Sequence, residues 1–187
     1  MEGTQAMPLL ATKLYLPAVK ENHIKRSRLH AILDGFPNYR FILVTAPAGF
    51  GKTSLVTAWL AEQPKKVAWV SLDKNDYDPI TFLSYVVEAL HQLESNVCRS
   101  VIPLLQSTDP PPPRVLLTYL INDLACLEQP SILVLDDYHL IQSPEIHAAI
   151  EFLIENAPPL LQILVISRHT PGFSVTRLRA SGELVEI

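Results

Sequence analysis

The chain has 187 residues, enough for one domain with an enclosed core. Hydrophobic residues make up 48% and charged residues 18%, which excludes an intrinsically disordered chain. A formal net charge of -4 argues against a nucleic-acid surface in these residues, because such surfaces carry a basic excess or stripe.

The N-terminus MEGTQAMPLLATKLYLP lacks the basic start and long apolar run of a secretory signal. Runs such as Ile132–Leu135 and Ile163–Ile166 are far too short to span a bilayer, so the expectation is a cytoplasmic protein with no membrane partner. Cys98 and Cys126 show no metal-ligand spacing and are expected to be two reduced, buried thiols.

In chain order, IKRSRLHAIL reads as a helix start carrying Arg26 and Arg28. Phe41–Thr45 is a short apolar strand, and Lys52–Glu62 is helical, stopping at Pro64. Val67–Leu72 reads as a second strand. Asp78 followed by Pro79 is an N-cap with a first-turn proline, opening a helix to about Leu93. The run Pro110–Pro113 is a polyproline spacer between two helices, the second being Val115–Leu127. Ile132–Leu135 is a strand ending in two acids, and Ser143-Pro144-Glu145 begins a helix to about Asn156. Ile163–Ser167 is another strand, and Leu184–Ile187 begins one more. Alternation of strands and helices, with continuous rather than alternating apolar strands, predicts an α/β domain whose mainly parallel sheet is covered on both faces.

Right-handed crossovers place the carboxyl ends of such strands along one edge, where these folds bind ligands. Three segments fall there. The first is Ala46-Pro47-Ala48-Gly49-Phe50-Gly51-Lys52-Thr53, one residue short of the phosphate-loop pattern G-x-x-x-x-G-K-[ST]. Ala46 replaces the first glycine, which is tolerable if its φ is negative. Backbone amides of Ala48, Gly49, Phe50, Gly51, Lys52, Thr53 and Ser54 then converge on phosphate oxygens, reinforced by the following helix N-terminus. Lys52 reaches the β- and γ-phosphates, and the Thr53 hydroxyl ligates Mg²⁺. The ligand is ATP or ADP, or a close relative.

The second segment is Asp136-Asp137. Asp136 is expected to hold Mg²⁺ through its hydration shell. Asp137 either orients or deprotonates a water near the γ-phosphate or balances charge behind it. The third is Arg168, which either pairs with the γ-phosphate or forms a surface salt bridge. Arg26 and Arg28 either flank the nucleotide base or decorate a solvated helix, and His139 and His169 are assigned no role.

Seven ordered segments resemble one family: TKLYLP at 12–17, RSRL at 26–29, APAGFGKTSL at 46–55, VAWVSLDKNDYDPITFLSYVVEAL at 67–90, ILVLDDYH at 132–139, ILVISRHTP at 163–171 and TRLRASGELVEI at 176–187. The chain resembles the N-terminal domain of MalT-like regulators of the LuxR family, among the signal-transduction ATPases with numerous domains. Ala46 is usual in that family. The resemblance implies a three-layer P-loop NTPase with a five-stranded sheet ordered 5-1-4-3-2, preceded by a segment (residues 1–30) that helps enclose the nucleotide. It implies ATP binding and slow hydrolysis used as a switch, with Lys52, Asp137 and Arg168 as catalytic residues, Arg28 at the nucleotide, and Thr53 and Asp136 on the metal. Full-length members also engage DNA, a small-molecule inducer and one another through later domains, so residues 31–187 are expected to be the core of a fragment or a truncated gene product. Two other readings stay open: a small-substrate P-loop kinase using Arg177 and Arg179 as a phosphate clamp, and a non-catalytic nucleotide-binding module.

Overall fold

The computed structural model describes residues 8–19, 26–34 and 39–187; parts of the expected 1–30 segment, at 1–7 and 20–25, lie outside the described residues. Five strands form the sheet: β1 (Phe41–Thr45), β2 (Lys66–Ser71), β3 (Ser131–Asp136), β4 (Leu161–Ser167) and β5 (Leu184–Glu186). Their spatial order is β2-β3-β4-β1-β5, and every pairing is parallel, which is the expected 5-1-4-3-2 arrangement.

Each strand alternates its apolar residues between two cores. Phe41, Leu43, Leu133, Leu135, Ile163 and Val165 enter one. Ile42, Val44, Ile132, Val134, Leu164 and Ile166 enter the other. A strand buried on both faces needs apolar residues at every position, which explains the unbroken runs in the sequence. Helices α3 (Pro79–His91), α4 (Val101–Leu105), α5 (Pro113–Leu124) and α6 (Pro144–Asn156) supply side chains to the first core. Helices α1 (Ser27–Asp34) and α2 (Lys52–Leu60) cover the second, and α7 (Thr176–Ser181) precedes β5.

Local chemistry sets the helix boundaries. The Asp78 carboxylate accepts from Thr81 N–H at 2.7 Å with Pro79 in the first turn, and Ser143 Oγ accepts from Ile146 N–H at 3.4 Å ahead of Pro144. The proline run leads into α5, which Pro113 itself opens, but the helix just before it is α4, a short element the sequence did not predict. One expectation fails. Cys98 is buried, and burial pushes its thiol up to about 12, with the Asp123 and Glu88 carboxylates adding to the shift; Cys126, however, is exposed. Cys126 sits in the turn just past α5 on its solvent side, while Leu124 and Leu127 to either side of it turn into the core.

Before α1, a short 3-10 turn (Ala11–Leu14) lies on the edge strand β2. Leu14 joins the first core, and Lys13 is buried with it. Lys13 Nζ donates to both Asp76 oxygens at 2.7 Å, lies 2.9 Å from Asp73 Oδ2, and stands over the Tyr85 ring at 4.8 Å. Burial alone lowers an ammonium pKa, but the Asp76 and Asp73 carboxylates outweigh it and Lys13 is raised. Asp73 is lowered in turn, chiefly by its hydrogen bond to Lys13. The clasp ties the N-terminal strap to the loop between β2 and α3.

Candidate nucleotide site

Register brings the three chemical segments together. Thr45 of β1 is level with Ser167 of β4, so Ala46 and Arg168 leave the sheet side by side. Leu135 is level with Val165, which brings Asp136 and Asp137 to the same edge. A cleft of about 390 Å³ opens there, lined by Ala48, Gly49, Gly51, Lys52, Thr53, Ser54, Asp137 and Arg168.

The loop has the backbone a phosphate cradle requires. Gly49 (φ 82°) and Gly51 (φ 74°) are left-handed, a conformation that a Cβ disfavours. Ala46 is not among the residues with positive φ, which are Cys98 and Asp137 among the described non-glycines. The missing first glycine therefore carries no strain. Gly51 precedes α2 without a side-chain cap, and the first helical bond there is Leu55 N–H to Gly51 O at 2.9 Å. The amides of Lys52, Thr53 and Ser54 are thus left to point out of the helix N-terminus.

Lys52 Nζ donates to Ala46 O at 2.7 Å and Pro47 O at 3.2 Å, which holds it over its own loop. Phe50 is exposed at the loop tip. Thr53 Oγ1 donates to Asp136 at 3.1 Å and 3.3 Å. Asp136 is buried, and its pKa is pushed up to about 6, first by burial and then by the Asp137 charge. A buried carboxylate held beside a hydroxyl and an acidic neighbour fits Mg²⁺: the cation supplies the positive charge that this oxygen pair lacks.

A stability prediction follows. With its native pKa raised above the usual 3.8, Asp136 contributes stability that is full at low pH and is lost as pH rises through about 6. Asp136→Asn keeps an acceptor for Thr53 and removes the charge. It is expected to raise the melting temperature of the Mg²⁺-free chain at pH 8 by roughly 5 °C, from about 2 kcal/mol, with the gain vanishing near pH 4. Thermal melts at the two pH values check it; an equal gain at both contradicts the charge-burial account.

Asp137 follows in a left-handed conformation (φ 56°), its N–H donating to Asp136 Oδ1 at 2.9 Å while its carboxylate reaches the cleft half-exposed. Arg28 is exposed in the first turn of α1. The arginine against the loop is Arg26: a Cβ on Gly51 would stand 3.3 Å from its Nη2. His139, assigned no role from the sequence, lies at the cleft. Its side chain is almost wholly buried, 3.8 Å from Asp137 Oδ1, and neither ring nitrogen has a hydrogen-bond partner among the described residues. Its pKa is lowered by burial first and then by Arg168, which keeps the imidazole neutral beside the cleft. The motif DDYH carried the residue, but a lone histidine in a sequence does not reveal its burial. Arg177 and Arg179 sit elsewhere, in exposed pairs with Glu155 at 3.6 Å and Glu186 at 2.7 Å.

Comparison with known proteins agrees with this geometry. The AAA ATPase domain family matches residues 22–166. The chain is 38% identical over 179 residues to the HTH-type transcriptional regulator MalT of Cronobacter sakazakii, covering 96% of this chain and 20% of that protein. The Klebsiella pneumoniae MalT is 37% identical over the same length, again with 20% of the relative covered. The chain therefore spans about one fifth of the length of these relatives. Among solved structures, Cdc6p from Pyrobaculum aerophilum superposes with a TM-score of 0.59 at 11% identity, covering 95% of this chain and 49% of that one. A chain of Drosophila ORC bound to AT-rich DNA and Cdc6 gives 0.55 at 11% identity, covering 86% and 52%; both likenesses concern the fold alone. By sequence match, strand order and phosphate-loop geometry together, the chain belongs to the AAA ATPase domain family and is similar to MalT transcriptional regulators.

Proposed function

We propose that the chain is the ATP- and Mg²⁺-binding switch domain of a MalT-like transcription regulator of the LuxR family. The observation that carries this reading is the convergence of Lys52, Thr53, Asp137 and Arg168 on one cleft, with Asp136 beneath Thr53. In this reading the amides of 48–54 and Lys52 bind the phosphates, and Thr53 and Asp136 hold Mg²⁺. The bound metal neutralises charge on the phosphates. Asp137 orients or deprotonates the attacking water, and Arg168 pairs with the γ-phosphate. Arg26 against Gly51 supports a nucleotide-flanking role for the segment before residue 31, and Arg28 is assigned there with it. Hydrolysis is slow and belongs to the longer protein, as do DNA, inducer and self-association, in a cytoplasmic setting. No described helix is long and apolar enough to cross a membrane.

A switch needs different affinities of ATP and ADP for its two states. The experiment is phosphate release by this chain and by a longer natural form, each with an Asp137→Ala control. The expected result is release by the longer form that is lost in the control. Equal release with and without Asp137 leaves the non-catalytic module as the better reading. Rapid transfer to a small acceptor favours the kinase instead, although Arg177 and Arg179, its proposed clamp, pair with glutamates away from the cleft lining.

A further inference from the structure

Next to Asp137 lies a cluster that the nucleotide chemistry does not use, with Tyr138 and Phe173 buried, His147 half-buried and Gly172 exposed. Tyr138 follows Asp137 directly, and its hydroxyl shares a 2.9 Å hydrogen bond with Nδ1 of His147, which projects from α6. Phe173 packs edge-on against Tyr138 at 5.6 Å and tilted against His147 at 6.3 Å. Gly172 closes against the same imidazole: a Cβ there would stand 2.8 Å from His147 Cδ2 and Nε2. Its φ is not in the left-handed region, so space and not torsion demands the glycine. The ring cannot yield easily, because the Tyr138 hydroxyl and Phe173 hold it.

Arg168 sits on the loop that ends at Gly172. Its near end is held by Ser167, whose Oγ donates to His169 O at 2.5 Å, and its far end by Gly172 and Phe173. On the cleft side, the His139 and His169 rings meet edge-on at 6.1 Å. The loop carrying Asp137 and the loop carrying Arg168 are therefore braced to each other on both sides.

We propose that His147 is a positioning residue of the nucleotide site: through Tyr138 and Gly172 it ties the Asp137 loop to the Arg168 loop, so that both register the γ-phosphate as one unit. This rests on the reading of Arg168 as a γ-phosphate contact. Burial holds the His147 pKa below the usual imidazole range, which keeps the ring neutral and the shared hydrogen bond intact near neutral pH. The diphosphate part of a nucleotide is held by the loop at 48–54, which the brace does not touch. Loosening the brace should therefore weaken triphosphate recognition and spare diphosphate binding.

The test titrates the chain and its Tyr138→Phe, Gly172→Ala and Arg168→Ala variants with a Mg²⁺-bound non-hydrolysable ATP analogue and with Mg²⁺–ADP. The expected result is that each variant loses about fivefold or more of the analogue-over-ADP preference, with the ADP affinity of Tyr138→Phe and Gly172→Ala within about twofold of the parent. Tyr138→Phe combined with Arg168→Ala should lose less than the sum of the two single losses, since both act on one coupled unit. Tyr138→Phe keeps every ring contact and so carries the test if Gly172→Ala does not fold. A parent that binds both ligands without preference, or variants that keep its preference, overturns the brace. A parent that binds neither ligand overturns the nucleotide reading itself.

Discussion

Lys52→Ala is expected to abolish measurable nucleotide binding, weakening Mg²⁺–ATP by at least about 100-fold. Each hydrogen bond from an ammonium to a phosphate oxygen is worth about 1.5–3 kcal/mol, and the proposed role gives Lys52 two phosphates to contact. The loss of about 3 kcal/mol or more corresponds to that factor. The fold should be indifferent to the change. Lys52 bonds to the carbonyls of Ala46 and Pro47 and is only half-buried, while the loop's shape rests on Gly49 and Gly51. A calorimetric titration, paired with a melt showing an intact domain, makes the measurement. Affinity within a few-fold of the parent removes Lys52 from the site. Lys52→Arg should recover little, because the guanidinium is bulkier and its planar fork does not match the position of a point charge in a narrow loop.

The largest stability effect is expected far from the cleft. Lys13→Met keeps the apolar length of the side chain and removes the ammonium that Asp76 holds at 2.7 Å. Asp76 is only 2% exposed, so the variant strands a carboxylate in the interior. Removing one partner of a buried pair costs about 3–5 kcal/mol, because the remaining charge keeps its desolvation penalty. For a domain of this size that lowers the melting temperature by roughly 10 °C. Adding Asp76→Asn to Lys13→Met should restore at least half of the loss. Acid should act in the same sense: Asp73, held below the usual carboxylate range by Lys13, contributes stability above its unfolded pKa and loses it as pH falls through the lower native value. A single variant within about 3 °C of the parent contradicts the clasp.

The two predictions mark how far the sequence was legible. The place of Lys52 in the cleft could be read because its motif is local: a strand, a loop of fixed spacing and a helix start lie within a dozen residues. Asp136 and Asp137 could be read because a doubly buried strand ends in two acids. The sheet order followed from resemblance and the strand runs from burial on both faces, which leaves a contiguous apolar pattern. Lys13 carried no such signal. Its partners lie about sixty residues away in the β2–α3 loop, and an ion pair closed by tertiary structure leaves no period in the chain. The short helix α4 escaped for a related reason. At five residues, with Pro103 inside it, its pattern is shorter than the turns needed to show a face. The Tyr138–His147 bond and the contact of Gly172 on His147 were equally invisible, because each requires knowing that His147 of α6 meets the segments that follow β3 and β4.

The unequal burial of the two cysteines has a practical consequence. The thiolate is the form that attacks a thiol reagent, and the Cys98 thiol is both enclosed and pushed up to about 12, far above any working pH. Cys126 lies open to solvent just after α5. The natural chain should therefore accept one maleimide dye per folded molecule, at a known address remote from the phosphate loop, with no cysteine to remove. A second dye should enter only when the interior opens, so the ratio of label to protein becomes a gauge of unfolding.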